Sequence, residues 1–335
     1  MAEKMRSQLH SYCNLVGEKY EKTDAVTFDV QFAHPIQSIL SASLPELGKV
    51  VTTTSTNTLP LICSQRPTKD CQVERVDAID LKLPTVNVPW YSCVTFLPGD
   101  RLMLADNSNN QCILLSSSYQ FITNHTLTSE PWNICVLDNQ EVAVSFYDES
   151  KIQILSVVGD VIRPVGMITT KYNCSGIAAA GKGEMVVNVY CGKNKCQWSL
   201  INRRGDVKCT HQYDSPYQLD NYVALNNMKT QVYVSVYGTN SLHCFDMDGR
   251  KQFTYSPDNL KGPLGVAVDR YENIYVLGNV SNDIHQLSPD GSVIQVVNTR
   301  VPKYPSAICI HTSRDILITT NSSDERTKLH IYQLK

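Results

Sequence analysis

Apolar residues alternate with polar or small residues in short runs through most of this chain. The clearest unit spans residues 262–291, with the sequence GPLGVAVDRYENIYVLGNVSNDIHQLSPDG. Its apolar runs are Val266 to Val268, Ile274 to Val276, Ile284 to Leu287 and, just beyond it, Val293 to Val297. Turn-forming residues separate these runs, so the pattern predicts four short antiparallel strands.

The same unit recurs through the chain. The first apolar position of each copy is Val94, Ile134, Ile177, Val223, Val266 and Ile308, with steps of 40, 43, 46, 43 and 42 residues. Second strands follow at matching offsets, at residues 101–106, 141–146, 184–189, 231–236, 273–278 and 315–320. Glycine-containing turns repeat between the third and fourth strands, at residues 158–160, 204–206, 248–249 and 290–291. Six near-equal periods indicate a repeat architecture.

An isolated four-stranded sheet has two free edges and an uncovered apolar face, which neighbouring copies can bury. We therefore predict an all-β fold, a six-bladed β-propeller with four-stranded antiparallel blades. The sixth copy ends at Lys335 after three strands. We expect a strand within Val76 to Leu83 to supply its missing outer strand and to close the ring.

Two smaller segments precede the propeller, which we assign to residues 71–335. Residues 1–22 carry apolar side chains at helical spacing, at Met5, Leu9, Tyr12, Val16 and Tyr20. This helix is either the end of a coiled coil, through which the chain could form a homo-oligomer, or a frayed helix lying on the following domain. Residues 23–70 predict a strand-helix-strand connector followed by a linker rich in Thr, Ser and Pro.

The composition is that of an ordinary globular protein, with 42% hydrophobic residues, 19% charged residues and a formal net charge of −2. No apolar run approaches the roughly eighteen residues of a membrane helix, and no apolar segment of a secretion signal follows Met1. We expect a cytoplasmic protein without membrane contact. Its twelve cysteines are then reduced, buried small hydrophobes.

The stretches that begin at Cys93, Pro131 and Gly262 resemble the C-terminal NHL-type propeller of tripartite-motif proteins, which carry a B-box and a coiled coil, especially their invertebrate variants. Residues 44–50, LPELGKV, resemble the connector that follows the coiled coil of that family. The resemblance implies a RING-type ubiquitin ligase whose propeller selects substrates or RNA. The cysteine- and histidine-rich zinc modules that precede the coiled coil in that family are absent here, so the ligase activity is not carried over. We expect a non-catalytic recognition module or adaptor.

An enzymatic alternative is a calcium-dependent propeller hydrolase. Such a site needs hard oxygen ligands, including carboxylates, where the innermost strands begin. The residues at those positions are Tyr91-Ser92, Asn133, Ser175-Gly176, Asn221, Leu264-Gly265 and Ser306. Two asparagines and no carboxylate make a poor calcium site, although Asp220 is adjacent. We therefore expect neither a metal nor any other cofactor.

One face of the propeller carries large aromatic side chains with polar tips. It is formed by the loops that lead into the innermost strands and those that join second to third strands. The predicted partner-binding residues are Trp90, Tyr91, Trp132, Asn133, Tyr147, Tyr172, Tyr217, Asp220, Asn221, Tyr237, Asn279 and Tyr304. Aromatic residues with Asn and Asp suit a protein interface. The alternative is that the rings wedge between neighbouring blades.

RNA is the second possible ligand of this face. Binding to a phosphate backbone requires a basic surface, whereas the chain has 30 Lys and Arg against 32 Asp and Glu. Lys171, Lys193, Lys261 and Lys303 do lie near the predicted face. The sequence favours a protein partner, keeps RNA as the alternative and does not identify the partner.

Overall fold

The computed structural model describes residues 72–335, apart from positions 82, 84, 85, 139, 147, 148, 216–220, 299, 300, 312 and 324. The predicted N-terminal helix and the connector therefore lie outside the described residues. Within the described part, every sheet has four antiparallel strands, and there are six such sheets.

The strands follow one another blade by blade. The chain begins with β1 (Val73–Asp80), and blade 1 then holds β2 (Tyr91–Leu97), β3 (Arg101–Asp106), β4 (Gln111–Leu115) and β5 (Phe121–Thr126). Blade 2 holds β6 (Pro131–Val136), β7 (Glu141–Phe146), β8 (Lys151–Val158) and β9 (Val161–Thr169). Blade 3 holds β10 (Cys174–Gly181), β11 (Glu184–Gly192), β12 (Lys195–Ile201) and β13 (Val207–Asp214).

The second half repeats this order. Blade 4 holds β14 (Val223–Leu225), β15 (Gln231–Val236), β16 (Ser241–Asp246) and β17 (Lys251–Tyr255). Blade 5 holds β18 (Pro263–Val268), β19 (Ile274–Gly278), β20 (Asp283–Leu287) and β21 (Val293–Val297). Blade 6 holds β22 (Pro305–His311), β23 (Ile316–Asn321) and β24 (Lys328–Leu334). The predicted six-bladed propeller is confirmed, and all six aligned apolar positions lie in innermost strands.

The ring closes through β1, as the unfinished sixth repeat predicts. This strand pairs antiparallel with β24 along seven residue pairs, from Val73 opposite Leu334 to Asp80 opposite Lys328. The ladder continues at one end, where the backbone groups of Gln72 and Lys335 exchange hydrogen bonds of 3.0 and 2.9 Å. The first strand thus completes the last blade and ties the two ends of the propeller together.

The core lies between neighbouring blades. A representative cluster joins blades 1 and 6 through Tyr91 and Leu104 on one side and Ile318 and Leu329 on the other. All four side chains are fully buried. Because each blade covers the apolar face of the next, no blade could bury its core alone.

The predicted glycine turns between third and fourth strands occur in the structure. Gly205 and Gly291 have φ angles of 86° and 87°, in the left-handed region that a side chain disfavours. All nine described cysteines are free, and seven of them are buried. No described helix is long and apolar enough to cross a membrane.

Three histidines occupy the third position of the third strand in successive blades: His243 in β16, His285 in β20 and His330 in β24. All three are buried. Burial lowers the pKa of His243 to about 4, and Lys251 adds to the effect. Burial likewise lowers the pKa of His330 to about 4, with a further contribution from Arg75. Both rings are therefore neutral structural residues at physiological pH.

Candidate functional site

The top face of the propeller consists of the loops that enter the innermost strands and those that join second to third strands. Asn110, Asn240 and Asn282 turn the latter loops with φ angles of 51°, 50° and 58°, a conformation that asparagine tolerates. Each of these loops is tied to the chain entering the next blade. The carbonyl group of Asn110 accepts the backbone N–H of Leu127 at 2.7 Å, and the Asn282 side chain accepts that of Tyr304 at 2.7 Å. These links hold the loops in a preformed arrangement.

An aromatic plug closes the top end of the central channel. Trp132 of blade 2, Tyr222 of blade 4 and Leu264 of blade 5 form one buried cluster, with Trp90 and Tyr237 packed against it. The ring centroids of Trp132 and Tyr222 are 5.8 Å apart, and those of Trp132 and Trp90 are 5.6 Å apart. Residues from four different blades therefore meet over the axis of the ring.

One hydrogen bond spans the channel within this plug. The Tyr222 hydroxyl group donates to the carbonyl oxygen of Ser92 at 2.8 Å, which links blade 4 to blade 1 on the opposite side of the ring. Both groups are buried, so the bond satisfies polar atoms that water does not reach. The plug is thus fixed by a specific contact as well as by packing.

Glycines near the starts of two innermost strands allow neighbouring blades to pack closely. A Cβ atom on Gly176 would lie 2.8 Å from the backbone nitrogen of Val223, and one on Gly265 would lie 3.0 Å from that of Ile308. In the alignment of the six blades, Trp132 and Leu264 stand at the position where the other blades have a smaller polar residue, such as Ser92. Sequence reasoning placed Leu264 where an innermost strand begins, but it selected neither Leu264 nor Tyr222 as a partner-binding residue.

Several predicted partner-binding residues are buried beneath the top face. Tyr91 packs between blades 1 and 6, where burial, followed by the nearby Asp106 carboxylate, raises its pKa. The Asn221 amide group donates to the Tyr213 hydroxyl group at 3.3 Å, and that of Asn279 donates to the Pro305 carbonyl oxygen at 3.0 Å. These side chains join blades and are not available to touch a partner.

The remaining buried members are Asn133 and Trp132. The Asn133 side-chain oxygen lies 3.9 Å from the Cys93 sulfur in the adjacent innermost strand. Trp132 forms the centre of the plug. These residues shape the surface from below, because the start of each innermost strand lies under its flanking loops.

Four predicted residues reach the surface: Trp90, Tyr172 and Tyr237 are half-buried, and Tyr304 is 48% exposed. Val280, which is 46% exposed, lies next to Tyr237, since a Cβ atom on Gly262 would lie within 2.8 Å of both side chains. The structure thus brings Trp90 and Tyr237 together at the plug. Tyr147, Tyr217 and Asp220 lie outside the described residues.

Asp106, at the end of β3 in blade 1, has a buried carboxylate beneath the top face. Burial raises its pKa, and the carboxylate accepts hydrogen bonds from Asn109 at 2.8 Å and Gln111 at 3.0 Å. Within the described part of the chain, no group of three or more His, Cys, Asp and Glu side chains has the arrangement of a metal site. The observed role of Asp106 is to organise the loop after β3.

Comparisons with known proteins bear on the fold alone. No family model matches the chain, and no curated protein matches its sequence. A streptogramin B lyase structure is similar with a TM-score of 0.53 and 13% identity over 79% of this chain and 88% of that chain. The virginiamycin B lyase of Staphylococcus aureus matches with a TM-score of 0.54 and 12% identity over 79% of this chain and 100% of that one.

A third similar structure is the β-propeller domain of Cps50 (Swd1) from Myceliophteria thermophila. Its TM-score is 0.56 with 11% identity, over 73% of this chain and 82% of that chain. An enzyme and a propeller domain without a stated activity thus share this architecture at equally low identity. Since one fold serves many functions, function has to be argued from the surface itself. These likenesses show that the chain has a β-propeller fold.

Proposed function

We propose that this chain is a non-catalytic recognition module of the tripartite-motif type and that its top face binds a protein partner. The observation that carries the proposal is the plugged channel. Trp132, Tyr222 and Leu264 fill the axis at the top face, so a small substrate could not enter the channel from that side. What the top face offers instead is a closed surface with accessible aromatic groups.

The composition of this surface supports a protein ligand. Trp90, Tyr172, Tyr237 and Tyr304 present apolar rings with polar tips, and tryptophan and tyrosine dominate the binding energy of many protein interfaces. The interblade links described above hold the loops before binding. A preformed surface loses less conformational entropy when a partner docks.

The test is a paired substitution, Tyr237→Ala with Tyr304→Ala, followed by capture of partners from cell lysate. We expect the double variant to lose captured proteins and to remain folded at the assay temperature, although it should melt somewhat lower because Tyr237 also packs against the plug. Phe121→Ala is the matched control, because Phe121 is an aromatic residue that is 41% exposed on the outer strand of blade 1. Capture that persists in the double variant, or that is lost equally in the control, would contradict the proposal.

RNA is the second candidate for the same face, favoured by one specific observation. The Lys171 amino group lies 5.1 Å from the centre of the Tyr172 ring. Lys261 and Lys303 are also exposed and lie close in sequence to loops of the top face. If these three lysines neutralised phosphates of single-stranded RNA, binding would weaken with a logarithmic salt slope of about −2. Under our proposal, capture survives ribonuclease and changes little when the three lysines are replaced by glutamate.

A further inference from the structure

The central channel is closed at the top and open at the bottom face, where innermost strands turn into second strands. Its cavity measures about 340 Å³ and is lined by the innermost strands of all six blades. Tyr222, a member of the plug, and Asn133 form part of its upper end. Among the described residues, the cavity is thus closed toward the plug and reaches the face opposite the proposed partner-binding face.

The lower half of this cavity is mostly aliphatic. Half-buried side chains that line it are Thr95, Val136, Ala179, Ala224, Val266 and Ile310. Each innermost strand pairs on one side only, so its free edge also presents backbone N–H and C=O groups to the channel. The walls can therefore accommodate an apolar body and can hydrogen-bond its polar atoms.

One lysine, Lys229, lies at the rim of the mouth and is exposed. Lys229 lies in the turn between β14 and β15 with a φ angle of 56°, and its side chain lines the cavity. Burial raises the pKa of the Cys135 thiol in blade 2, and the charge of Lys229 opposes this effect slightly from across the channel. Lys229 therefore places a positive charge at the rim of the channel.

The environment of Lys229 leaves its positive charge without a close partner among the described residues. Burial lowers its pKa, whereas the carboxylate of Glu272 acts in the opposite direction. That carboxylate accepts the backbone N–H of Asn227 at 3.0 Å, and Lys229 forms no salt bridge within the described part of the chain. Lys229 is exposed, so its ammonium group stands at the rim of an apolar cavity and can pair with an anion bound there.

We propose that the lower half of the channel binds a small aliphatic carboxylate, with its carboxylate paired to Lys229 and its apolar body in the channel. One cation matches one negative charge, whereas recognition of a phosphate normally uses several donors. A volume of about 340 Å³ is at the lower end of the range for ligand pockets, so the ligand is short. This site is separate from the partner-binding function proposed for the top face.

The test measures binding of octanoate to the full chain by isothermal titration calorimetry. Octanol and octylamine serve as the neutral and cationic counterparts of the same chain length. We expect octanoate to bind and the two counterparts to bind at least about tenfold more weakly, because they lack the charge-assisted contact.

Two variants locate the bound molecule. Lys229→Met keeps an unbranched apolar stem without the charge and should weaken octanoate binding by about tenfold or more. Lys182→Met is the matched control, because Lys182 is an exposed lysine in the corresponding turn of blade 3 and does not line the cavity. Ala224→Leu fills the channel and should weaken binding of octanoate even though Lys229 is retained.

Melting temperatures of the variants verify folding, and Lys229→Met alone decides the outcome if Ala224→Leu proves unstable. The proposal is overturned if the unmodified chain does not bind octanoate or if octylamine binds as tightly. It is also overturned if Lys229→Met and Lys182→Met have equal effects, since the anion would then bind elsewhere.

Discussion

Removal of β1 should open the propeller ring, and the structure gives the size of the effect. The deletion removes a ladder of seven residue pairs and the buried Leu81 side chain, which is 4% exposed. At roughly 0.5 kcal/mol for each of about seven hydrogen bonds, and about 2 kcal/mol for the leucine, the loss of stability is about 5 kcal/mol. For a domain of this size such a loss lowers the melting temperature by roughly 10–20 °C.

The assay compares two truncated chains by calorimetry or thermal circular dichroism. One begins at residue 61 and keeps β1, and the other begins at residue 84 and lacks it. The first should melt close to the full chain and the second well below it. Leu81→Ala should cost about 2–5 kcal/mol, whereas Val76→Ala, at a 57% exposed position of the same strand, should cost little. Equal melting temperatures of the two truncations would refute the closure argument.

Three further predictions concern the interior. Since the pKa values of His243 and His330 fall from 6.5 to about 4 on folding, the unfolded chain binds more protons, and stability should decrease as the pH falls below 6.5. Denaturant unfolding at pH 5 should show a loss of about 2 kcal/mol for each ring, and replacing either by glutamine should reduce this dependence. Gly176→Ala should lower the free energy of unfolding by about 1–3 kcal/mol, because the new Cβ atom would press on the backbone of blade 4. Gly166→Ala is the control and should be almost neutral in the same measurement, because the nearest atom to its Cβ would be 3.8 Å away. Tyr222→Phe should cost about 1 kcal/mol in chemical denaturation, since it leaves the Ser92 carbonyl oxygen without the hydroxyl donor.

The propeller could be predicted because its information is local and repeated. Strands of three to nine residues with glycine or asparagine turns recur six times, so an error in one copy is corrected by the others. The closing strand followed from a missing edge partner, and the observed β1, Val73–Asp80, starts three residues before the predicted segment. The alternation of apolar and polar residues predicts that a strand is present, but it does not determine the residue at which pairing with the neighbouring strand begins.

The surface was harder to predict because exposure depends on contacts distant in sequence. Trp132 and Tyr222 are 90 residues apart and meet only when the ring closes across its axis. Tyr91 resembles the surface aromatic residues in composition, yet it is the first residue of an innermost strand and is buried by blade 6. The alignment of the six blades held a usable signal for the plug, because Trp132 stands where three blades have serine and Tyr222 stands where two blades have glycine.

Lys229 was not selected from the sequence because isolated lysines in turns are usually solvated. Its position becomes informative only when the turn is seen to lie at the mouth of the channel. The same limit applies to every group whose environment is built from several blades. Repeats predict the scaffold, whereas the side chains that differ between repeats determine the sites.

Site-specific photo-crosslinking tests the central claim, recognition of a protein by the top face, most directly. A photoreactive amino acid replaces Tyr304 on the top face or, in a matched chain, Met228 on the bottom face, where the side chain is 71% exposed. Irradiation in cells should give discrete protein adducts from position 304 that resist ribonuclease, and few or none from position 228. Adducts that form only from position 228, or adducts from position 304 that consist of RNA, would contradict the account.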